Sequence, residues 1–455
     1  MRWSLCWTVS VLTLGCGVEN DGQGFTPGAE GGGTETASPI SAAGTESGSG
    51  AETTEEDDGG TGVKLDVGSN GSGSGPGCPG SKGGSGGLSE VAFSNIWIAN
   101  SPAGTVSKID TVTGNEIGRY RTGPATTTDP SRTTVNLVGD VAVLNRGDGG
   151  SVVKIAADPK NGCVDSNNDG QIQTSTGPDD VLAWGDDECV LWTTGLWAGA
   201  RAAAWDSGSD PQAEDCAGVP SLWVSAMGAD MTVHVQRLDG ETGTVEDETS
   251  IPSWDGSAEW GGMYGGAVDQ NRNFWMIGKD NAALFRVDFE TMAVDRYEGP
   301  SGVTRFYGIA MDKSGNPYVT AEFDNRLLRF DADAESFEEV VTIDGTLRGL
   351  AVDGDGDAWI ATNEVCGVAH YDAESGTVTP ITLPECNIPV GVSIDIDGFV
   401  WVVDQWAGAP PFGRAHKIDP NGYNIELTVD GLDTPYTYSD MTGAGLNLVS
   451  FPPAG

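Results

Sequence analysis

The chain has 455 residues, with 67 aspartates and glutamates against 23 lysines and arginines, and a formal net charge of −44. This acidity argues against nucleic acid and anionic lipid surfaces as partners, because both are bound by basic protein surfaces. The length alone would often indicate two domains, but internal repeats favour one large domain.

The N-terminus is predicted to be an export signal. Two residues, Met1 and Arg2, form a short positive start, and an apolar run follows that is too short to span a bilayer. The segment Leu12-Thr-Leu-Gly-Cys16 resembles a bacterial lipobox, although Thr13 stands where leucine is usual. We predict a signal peptide over 1–16 and acylation of Cys16; an ordinary signal peptide cleaved further on is the alternative. We expect an exported protein, lipid-anchored in the cell envelope (in the outer membrane) or secreted.

Residues 17–87 are rich in Gly, Ser, Thr and Glu and contain few large apolar side chains. Such a segment buries too little surface to offset the entropy of ordering, so we predict a disordered tether. The membrane is then contacted only through the lipid, and residues 88–455 form the folded domain.

A β-only repeat organises the folded part. Each unit has a small first strand ending in Asp, a turn, an aromatic second strand, another turn and a third strand ending in Asp. The first-strand aspartates, which recur after 43, 41 and 42 residues, are Asp269, Asp312, Asp353 and Asp395. A repeat of roughly 40–45 residues without helices is typical of a propeller blade. We therefore predict an all-β fold, a single β-propeller.

The number of third-strand motifs predicts the number of blades. A cation or histidine two residues before Asp occurs at Lys108, Arg237, Arg286, Arg329, His370 and Lys417, and Lys154-Ile-Ala156 is a degenerate seventh copy. We predict seven four-stranded blades, with six or eight as alternatives. The tail, Tyr436–Gly443 and then Leu446–Val449, is predicted to be an extra strand pair that closes the ring against the first blade.

Two insertions interrupt the repeat, at about 158–188 and 206–220. After loss of Cys6 and use of Cys16, six cysteines remain: Cys78, Cys163, Cys189, Cys216, Cys366 and Cys386. An even number in an exported chain indicates disulfides, although six thiols allow fifteen pairings. Local closure favours Cys163–Cys189 and Cys366–Cys386, and leaves Cys78 and Cys216 unassigned.

The first insertion contains a calcium-type loop. Asp165, Asn167 and Asp169 occupy alternate positions before Gly170, and Gln171 stands where a backbone carbonyl would bind. Oxygen donors so spaced on a tight turn suit calcium. Thr176 replaces the usual bidentate Glu, so Asp179, or one of Asp180, Asp186 and Asp187, would complete the shell. We predict a structural calcium ion; a solvated Asp/Asn turn is the alternative.

Loops at one end of a propeller converge on its axis. The polar residues expected there after second strands are Asn100, Asn145, Lys279, Glu322, Asn363 and Asp404, and those expected just before first strands are Arg201, Arg305, Tyr307 and Arg348. The Asn, Glu and Asp oxygens could hold a second divalent metal, and the arginines an anionic or carbonyl-bearing ligand. Alternatively, these residues hydrate the channel mouth and cap strand ends.

The Gly-x-Ala-x-Asp, Trp and Arg-x-Asp pattern resembles NHL-type and streptogramin (virginiamycin B) lyase-like propellers over about 90–450, and distantly the gluconolactonase/senescence-marker family. The lyase resemblance implies a histidine and a carboxylate with magnesium. The chain has only His234, His370 and His416, all in predicted third strands, so this activity is not carried over. The lactonase resemblance implies a metal on Glu322, Asn363 and Asp404, with Asn100 or Asn145.

The leading hypothesis is a surface-tethered, calcium-stabilised, monomeric propeller that binds a protein, a glycan or a small molecule without catalysis. One alternative is a metal-dependent hydrolase or lyase that uses the axial residues. Another is a purely structural envelope protein.

Overall fold

The computed structural model describes residues 94–209 and 218–452, and the structural statements below concern those residues. The predicted signal peptide, the acylated Cys16, the tether over 17–87, Cys78 and Cys216 lie outside them. Within the described part, no helix has the length and hydropathy needed to cross a membrane.

Seven antiparallel sheets follow one another along the chain, as predicted. Blade 1 contains β1 (Asn95–Asn100), β2 (Thr105–Asp110) and β3 (Glu116–Arg121). Blade 2 contains β4 (Pro130–Val135), β5 (Val141–Asn145), β6 (Ser151–Ile155) and β7 (Val190–Gly195), and blade 3 contains β8 (Ala202–Trp205), β9 (Ser221–Met227), β10 (Val233–Asp239) and β11 (Val245–Ile251). Blade 4 contains β12 (Met263–Val268), β13 (Phe274–Gly278), β14 (Ala283–Val287) and β15 (Val294–Glu298).

The last three blades have the same order of strands. Blade 5 contains β16 (Phe306–Met311), β17 (Pro317–Ala321), β18 (Arg326–Asp331) and β19 (Ser336–Thr342). Blade 6 contains β20 (Leu347–Val352), β21 (Ala358–Thr362), β22 (Gly367–Asp372) and β23 (Thr377–Thr382), and blade 7 contains β24 (Pro389–Ile394), β25 (Val400–Asp404), β26 (Arg414–Ile418) and β27 (Ile425–Val429). Short 3-10 helices lie at Thr126–Thr128 and Ala258–Trp260, and α1 spans Ala444–Ser450.

The C-terminal tail supplies the fourth, innermost strand of blade 1. Tyr436 N donates to the Ala99 carbonyl at 3.2 Å, and Trp97 N donates to the Met441 carbonyl at 3.0 Å. Asn100 and Pro435 form an antiparallel β-bridge. This pairing removes the free edge that an open ring would leave. It confirms the predicted closure of the ring and makes all seven blades four-stranded.

The prediction of a second strand in the tail, over Leu446–Val449, is wrong. Residues 444–450 form helix α1, whose first-turn amides of Gly443 and Leu446 donate to the buried Asp440 carboxylate at 2.8 and 2.9 Å. The helix lies at one end of the axial channel and lines, with the inner strands, a cavity of about 70 Å³.

The repeat residues serve packing within each blade. The first-strand aspartates Asp269, Asp353 and Asp395 accept a hydrogen bond from the indole six residues later, at 2.9, 3.2 and 2.9 Å. Third-strand cations add ion pairs to first-strand aspartates in blades 5 and 7, where Arg329 pairs with Asp312 at 3.1 Å and Lys417 with Asp395 at 3.0 Å. The Asp-rich turns therefore tie neighbouring strands together, as buried carboxylates require.

The repeat glycine marks the close approach of adjacent inner strands. A Cβ at Gly349 would lie 2.7 Å from the Val390 carbonyl oxygen, and a Cβ at Gly391 would overlap the Thr437 carbonyl oxygen. Neither contact could relax without moving backbone. Side chains just before these glycines are consequently held close to the axis, where the candidate site is built.

Both predicted insertions lie inside blades. Residues 158–188 separate β6 from β7, and residues 206–220 separate β8 from β9. The structure joins Cys163 to Cys189 and Cys366 to Cys386, with Cα–Cα distances of 4.3 and 5.9 Å. The first disulfide holds together the ends of the calcium-type loop.

Candidate axial site

The axial end opposite α1 contains a cluster of tyrosines and cations, here called the axial cluster. It consists of Tyr264, Tyr307, Tyr436, Tyr438, Arg132, Arg146, Arg201, Lys279, Arg348 and Glu322. Four of these positions lie on or just before inner strands of blades 3–6, and three directly follow second strands of blades 2, 4 and 5. Inner strands and second-strand ends meet there because every blade has the same strand order.

Three phenol oxygens meet at the centre of the cluster. Tyr436 Oη lies 2.6 Å from Tyr264 Oη and 3.1 Å from Tyr307 Oη, and all three rings are buried. The Lys279 ammonium donates to Tyr264 Oη at 3.4 Å. Burial and the neighbouring tyrosines raise the pKa of Tyr264 and of Tyr307.

Cations pack against these rings. The Arg132 guanidinium lies 3.1 Å from the Tyr438 ring centroid, Arg146 lies 5.0 Å from that of Tyr436, and Arg201 lies 5.5 Å from that of Tyr264. A cation over an aromatic face gains about 0.5–2 kcal/mol, which offsets part of the cost of burying the charge.

Carboxylates pair with only some of the cations. Glu322 contacts Lys279 at 3.6 Å and Arg348 at 3.3 Å, and Asp129 pairs with Arg146 at 2.6 Å. Glu322 and Tyr307 outweigh the effect of burial and raise the pKa of Arg348, whereas burial lowers that of Lys279. The cluster therefore carries a net positive charge in a chain that is strongly acidic overall.

Two buried arginines take part in no ion pair with a carboxylate of residues 94–209 and 218–452. Arg132 donates to the carbonyls of Ser131 and Tyr264, and Arg201 donates to that of Trp260. The Nε of each is buried without a hydrogen-bond acceptor in the described chain. Burial lowers the pKa of both, yet guanidinium groups stay protonated in proteins. No carboxylate of the described residues balances these two buried charges, and a buried charge is costly unless an anionic group lies beside it.

A second layer connects the cluster to solvent. The Trp260 ring lies 3.8 Å from Lys279 Nζ, and its indole N–H donates to Asp280 at 2.7 Å. Arg305 pairs with Asp280 at 2.6 Å and with Glu322 at 3.5 Å. The side chains of Arg305 and Arg146 are 27% and 18% exposed, and each is paired with an aspartate, so charges of both signs lie at the molecular surface at this end.

The structure divides the predicted axial residues into two groups. Lys279, Glu322, Arg201, Tyr307 and Arg348 belong to the cluster, with Arg305 at its rim. Asn363 joins them: once its side-chain amide is turned by 180° so that donors face acceptors, its oxygen accepts from Arg348 Nε and Nη2, both at 3.0 Å, and its nitrogen donates to the Pro389 carbonyl.

The remaining predicted oxygens anchor loops. Asp404 accepts the amides of Asn387 and Ile388, both at 2.8 Å. Asn100 accepts the amide of Asp433 at 2.9 Å, and Asn145 donates to the Thr122 carbonyl at 2.7 Å. The oxygens of Asp404 and Asn100 are thus engaged by backbone amides. Asn145 contacts backbone through its nitrogen, and its Oδ1 is buried without a hydrogen-bond partner in the described chain.

A metal does not fit the axial residues well. Glu322 is surrounded by Lys279, Arg305 and Arg348, which already neutralise it. Among the described residues, the one group of three His, Cys, Asp or Glu ligands within metal-binding distance is Cys366, Cys386 and Asp404, and its two thiols form a disulfide. The arrangement suits an anion better than a cation.

The three histidines lie in third strands. His234 pairs with Glu248 at 3.0 Å, His370 contacts Asp357 and Tyr423 at 3.0 and 2.9 Å, and His416 contacts Thr428 at 3.1 Å. Burial lowers the pKa of His416 to about 4. None of the three takes part in the contacts of the axial cluster described above.

The calcium-type loop has its oxygens close together. Asp165 Oδ1 and Asn167 Oδ1 both accept the amide of Asp169, at 3.2 and 2.8 Å, and Asp169 Oδ1 accepts that of Gln171 at 2.8 Å. Asp165 Oδ2 accepts the amide of Gly170, whose φ is +84°. The donor set thus fits a hard cation in chemistry and spacing.

Residues around the loop differ in their roles. Asp179 is exposed in the following turn, and Asp187 accepts the amides of Ser175 and Cys189, both at 3.0 Å. The sequence reasoning missed Glu188, whose carboxylate accepts the amides of Ser166, Asn167 and Gln173 and so supports the loop from within.

No protein-family profile matches the sequence, and no curated protein matches it. Among solved structures, a streptogramin B lyase is similar at 16% identity with a TM-score of 0.50, over 68% of this chain and 86% of that one. A protein of unknown function from Desulfotomaculum acetoxidans is 12% identical with a TM-score of 0.51, over 75% and 96%. A protein from Lactobacillus plantarum is 12% identical with a TM-score of 0.51, over 76% and 98%.

These likenesses establish the fold. The chain is a seven-bladed β-propeller similar in fold to streptogramin B lyase, which confirms the predicted architecture and the resemblance at that level. At such identities the activity of a neighbour does not transfer, and the site has to be interpreted from its own residues.

Proposed function

We propose that this protein is a binding module that receives an anionic ligand, bearing a carboxylate or phosphate group, at the axial cluster. One observation carries the proposal: Arg132 and Arg201 are buried without a carboxylate partner among the described residues. A bound anion would supply the missing partner through charge-assisted hydrogen bonds, which are roughly twice as strong as neutral ones.

The surroundings support an anion over other ligands. Arg146 and Arg305, each paired with one aspartate, bring guanidinium groups to the rim, and Trp260 and the tyrosines offer aromatic faces for the rest of the ligand. An acidic outer surface around a positive centre selects small or protruding anionic groups, because large polyanions are repelled. This favours a small molecule or one acidic side chain as the ligand over nucleic acid.

The test compares the full chain with an Arg201→Met variant in phosphate and in chloride at equal ionic strength, by thermal denaturation. We expect phosphate to stabilise the wild type, by about 2.7 kcal/mol when its concentration is 100 times Kd. The variant should lose this effect. Each protein is compared with itself in the two salts, so a change in the variant's stability in chloride does not affect the comparison.

Phosphate also stabilises proteins without binding a site, so the difference between variants is the informative quantity. Arg286→Met is the matched control, because Arg286 pairs with Asp295 in blade 4, outside the cluster. It should keep the full phosphate effect. Equal phosphate stabilisation in wild type and Arg201→Met would reject the proposed site.

We propose separately that the loop containing Asp165, Asn167 and Asp169 binds calcium and stabilises blade 2. Its converging oxygens support this, and the Cys163–Cys189 disulfide limits the loop's freedom before binding. Calcium should raise the melting temperature of the wild type relative to chelator. An Asp165→Asn/Asp169→Asn variant should show no calcium-dependent shift and should lose about one equivalent of bound metal by mass spectrometry.

An Asp179→Asn variant tests whether Asp179 completes the calcium coordination shell, as predicted. If Asp179 binds the ion, its substitution should weaken calcium binding. Unchanged calcium affinity would remove Asp179 from the shell, and equal melting temperatures in calcium and chelator for the wild type would overturn the calcium proposal itself.

A further inference from the structure

The three buried phenols at the centre of the axial cluster carry three hydrogens but make only two contacts with one another. Tyr436 Oη contacts Tyr264 Oη and Tyr307 Oη, and Tyr264 Oη is also approached by the Lys279 ammonium, which can only donate. Three neutral phenols carry three hydrogens, whereas their mutual contacts use two.

Removal of one proton resolves this arrangement. If Tyr264 and Tyr307 both donate to Tyr436, an ionised Tyr436 oxygen accepts two hydrogen bonds and no phenol hydrogen is left unsatisfied. Tyr436 is also the phenol at the middle of the network, so it alone can receive from both neighbours. Hydrogen bonds to a charged acceptor are shorter and stronger than those to a neutral one.

The charges around Tyr436 favour the ionised form. The cationic groups that face it from β4, β5, β8 and β13 are Arg132, Arg146, Arg201 and Lys279. Burial alone would raise the pKa of Tyr436, but these four positive charges outweigh burial and lower it. The one acid of the cluster, Glu322, is itself paired with Lys279 and Arg348.

We propose that Tyr436 is a phenolate at neutral pH and serves as the resident counter-ion of the axial arginines. The C-terminal strand that closes the ring thereby also delivers the negative charge at its centre. The proposal goes beyond anion binding, because it concerns the charge state of the protein before any ligand arrives.

The phenolate also predicts how a ligand would enter. An incoming anion beside Tyr436 raises the pKa of the phenol, so binding should be accompanied by uptake of a proton. This consequence rests on the proposed function, whereas the phenolate itself does not. Affinity for an anion should then increase as the pH falls through the Tyr436 pKa.

Near-ultraviolet absorbance tests the charge state, because tyrosinate absorbs at longer wavelength than tyrosine. The full chain contains nine tyrosines, and we expect one equivalent of tyrosinate at pH near 7 in chloride buffer without added phosphate. Tyr436→Phe should abolish this band. Tyr438→Phe is the matched control, because Tyr438 lies on the same strand, packs against Arg132 and has a hydroxyl with no hydrogen-bond partner in the described chain.

The pH dependence has a definite sign. The pKa of Tyr436 in the folded state is lower than its pKa of about 10 in the unfolded state. Its ionisation therefore contributes stability that is fully present when the pH is above the unfolded-state pKa, and this stability is lost as the pH falls through the folded-state pKa. Acidification should therefore remove the band while far-ultraviolet circular dichroism still reports folded protein. This titration of the wild type decides the matter even if Tyr436→Phe does not fold.

The outcomes separate the two proposals. A wild type with no tyrosinate band at pH near 7, or a band that persists in Tyr436→Phe, overturns the phenolate. Such a result leaves the Arg201→Met comparison intact. Conversely, a band with no phosphate-dependent stabilisation keeps the phenolate and rejects the anion site. Phosphate that binds without reducing the band rejects the coupling to proton uptake.

Discussion

A chain that ends at Leu432 is expected to lose the folded propeller. The truncation removes the inner strand of blade 1 and helix α1, and with them the buried side chains of Tyr436, Tyr438, Met441, Leu446 and Val449. Each buried large apolar side chain contributes about 1.5–3 kcal/mol. Their combined loss is comparable to the entire stability of a typical domain, about 5–15 kcal/mol.

Circular dichroism, size-exclusion chromatography and limited proteolysis would measure the loss. A chain that ends at Pro452 is the control, because it keeps every described residue. Addition of a synthetic peptide covering residues 433–452 should restore protease resistance to the shorter chain, since the free edge of β1 is then paired again. A shorter chain with the melting temperature of the full protein would mean that the tail does not close the ring.

Gly391→Ala adds a single methyl group and is expected to be strongly destabilising. A Cβ at this position would overlap the carbonyl oxygen of Thr437 and would lie 3.0 Å from the Tyr438 Cα. All of these are backbone atoms of the closing strand, so no rotamer change can relieve the overlap. We expect the free energy of unfolding to fall by about 3 kcal/mol or more, at the upper end of overpacking effects.

Chemical denaturation measures this change. Gly195→Ala is a suitable control, because nothing lies within 4 Å of a Cβ there and its backbone is not in the left-handed region. It should change stability by less than about 1 kcal/mol. If the two substitutions had equal effects, close approach of the inner strands would not explain the repeat glycine.

The repeat was readable from the sequence because its residues meet inside one blade. Asp395, Trp401 and Lys417 lie within one copy of the motif and contact one another in the structure. Because these contacts are local in sequence, the repeated motif predicts the fold class and the number of blades. The tail offered no comparable pattern: Leu446-Asn-Leu-Val alternates like a strand, and short apolar runs do not distinguish strand from helix. Capping by Asp440 decides for the helix.

The axial site was predictable only in part. Lys279, Glu322 and Arg348 were found because they occupy matching positions in regular blades. Tyr264 stands directly before the repeat glycine, as Tyr307 does, and alignment of those positions could have found it.

The cluster residues of the degenerate blade and the tail were harder to predict. Arg146 follows Asn145 by one residue and could have been chosen in its place. Arg132 and Tyr436 belong to strands without the repeat motif, so nothing local in the sequence marked them.

Closure by the tail also has a consequence for biosynthesis. Ala99 N and its partner Thr437 Oγ1 are 338 residues apart in the chain, so the ring remains an open arc until the closing strand has been made. Contacts between distant segments form late because a long loop must first be closed. The charged centre of the propeller, to which Tyr436 on the closing strand belongs, would thus be assembled after the blades.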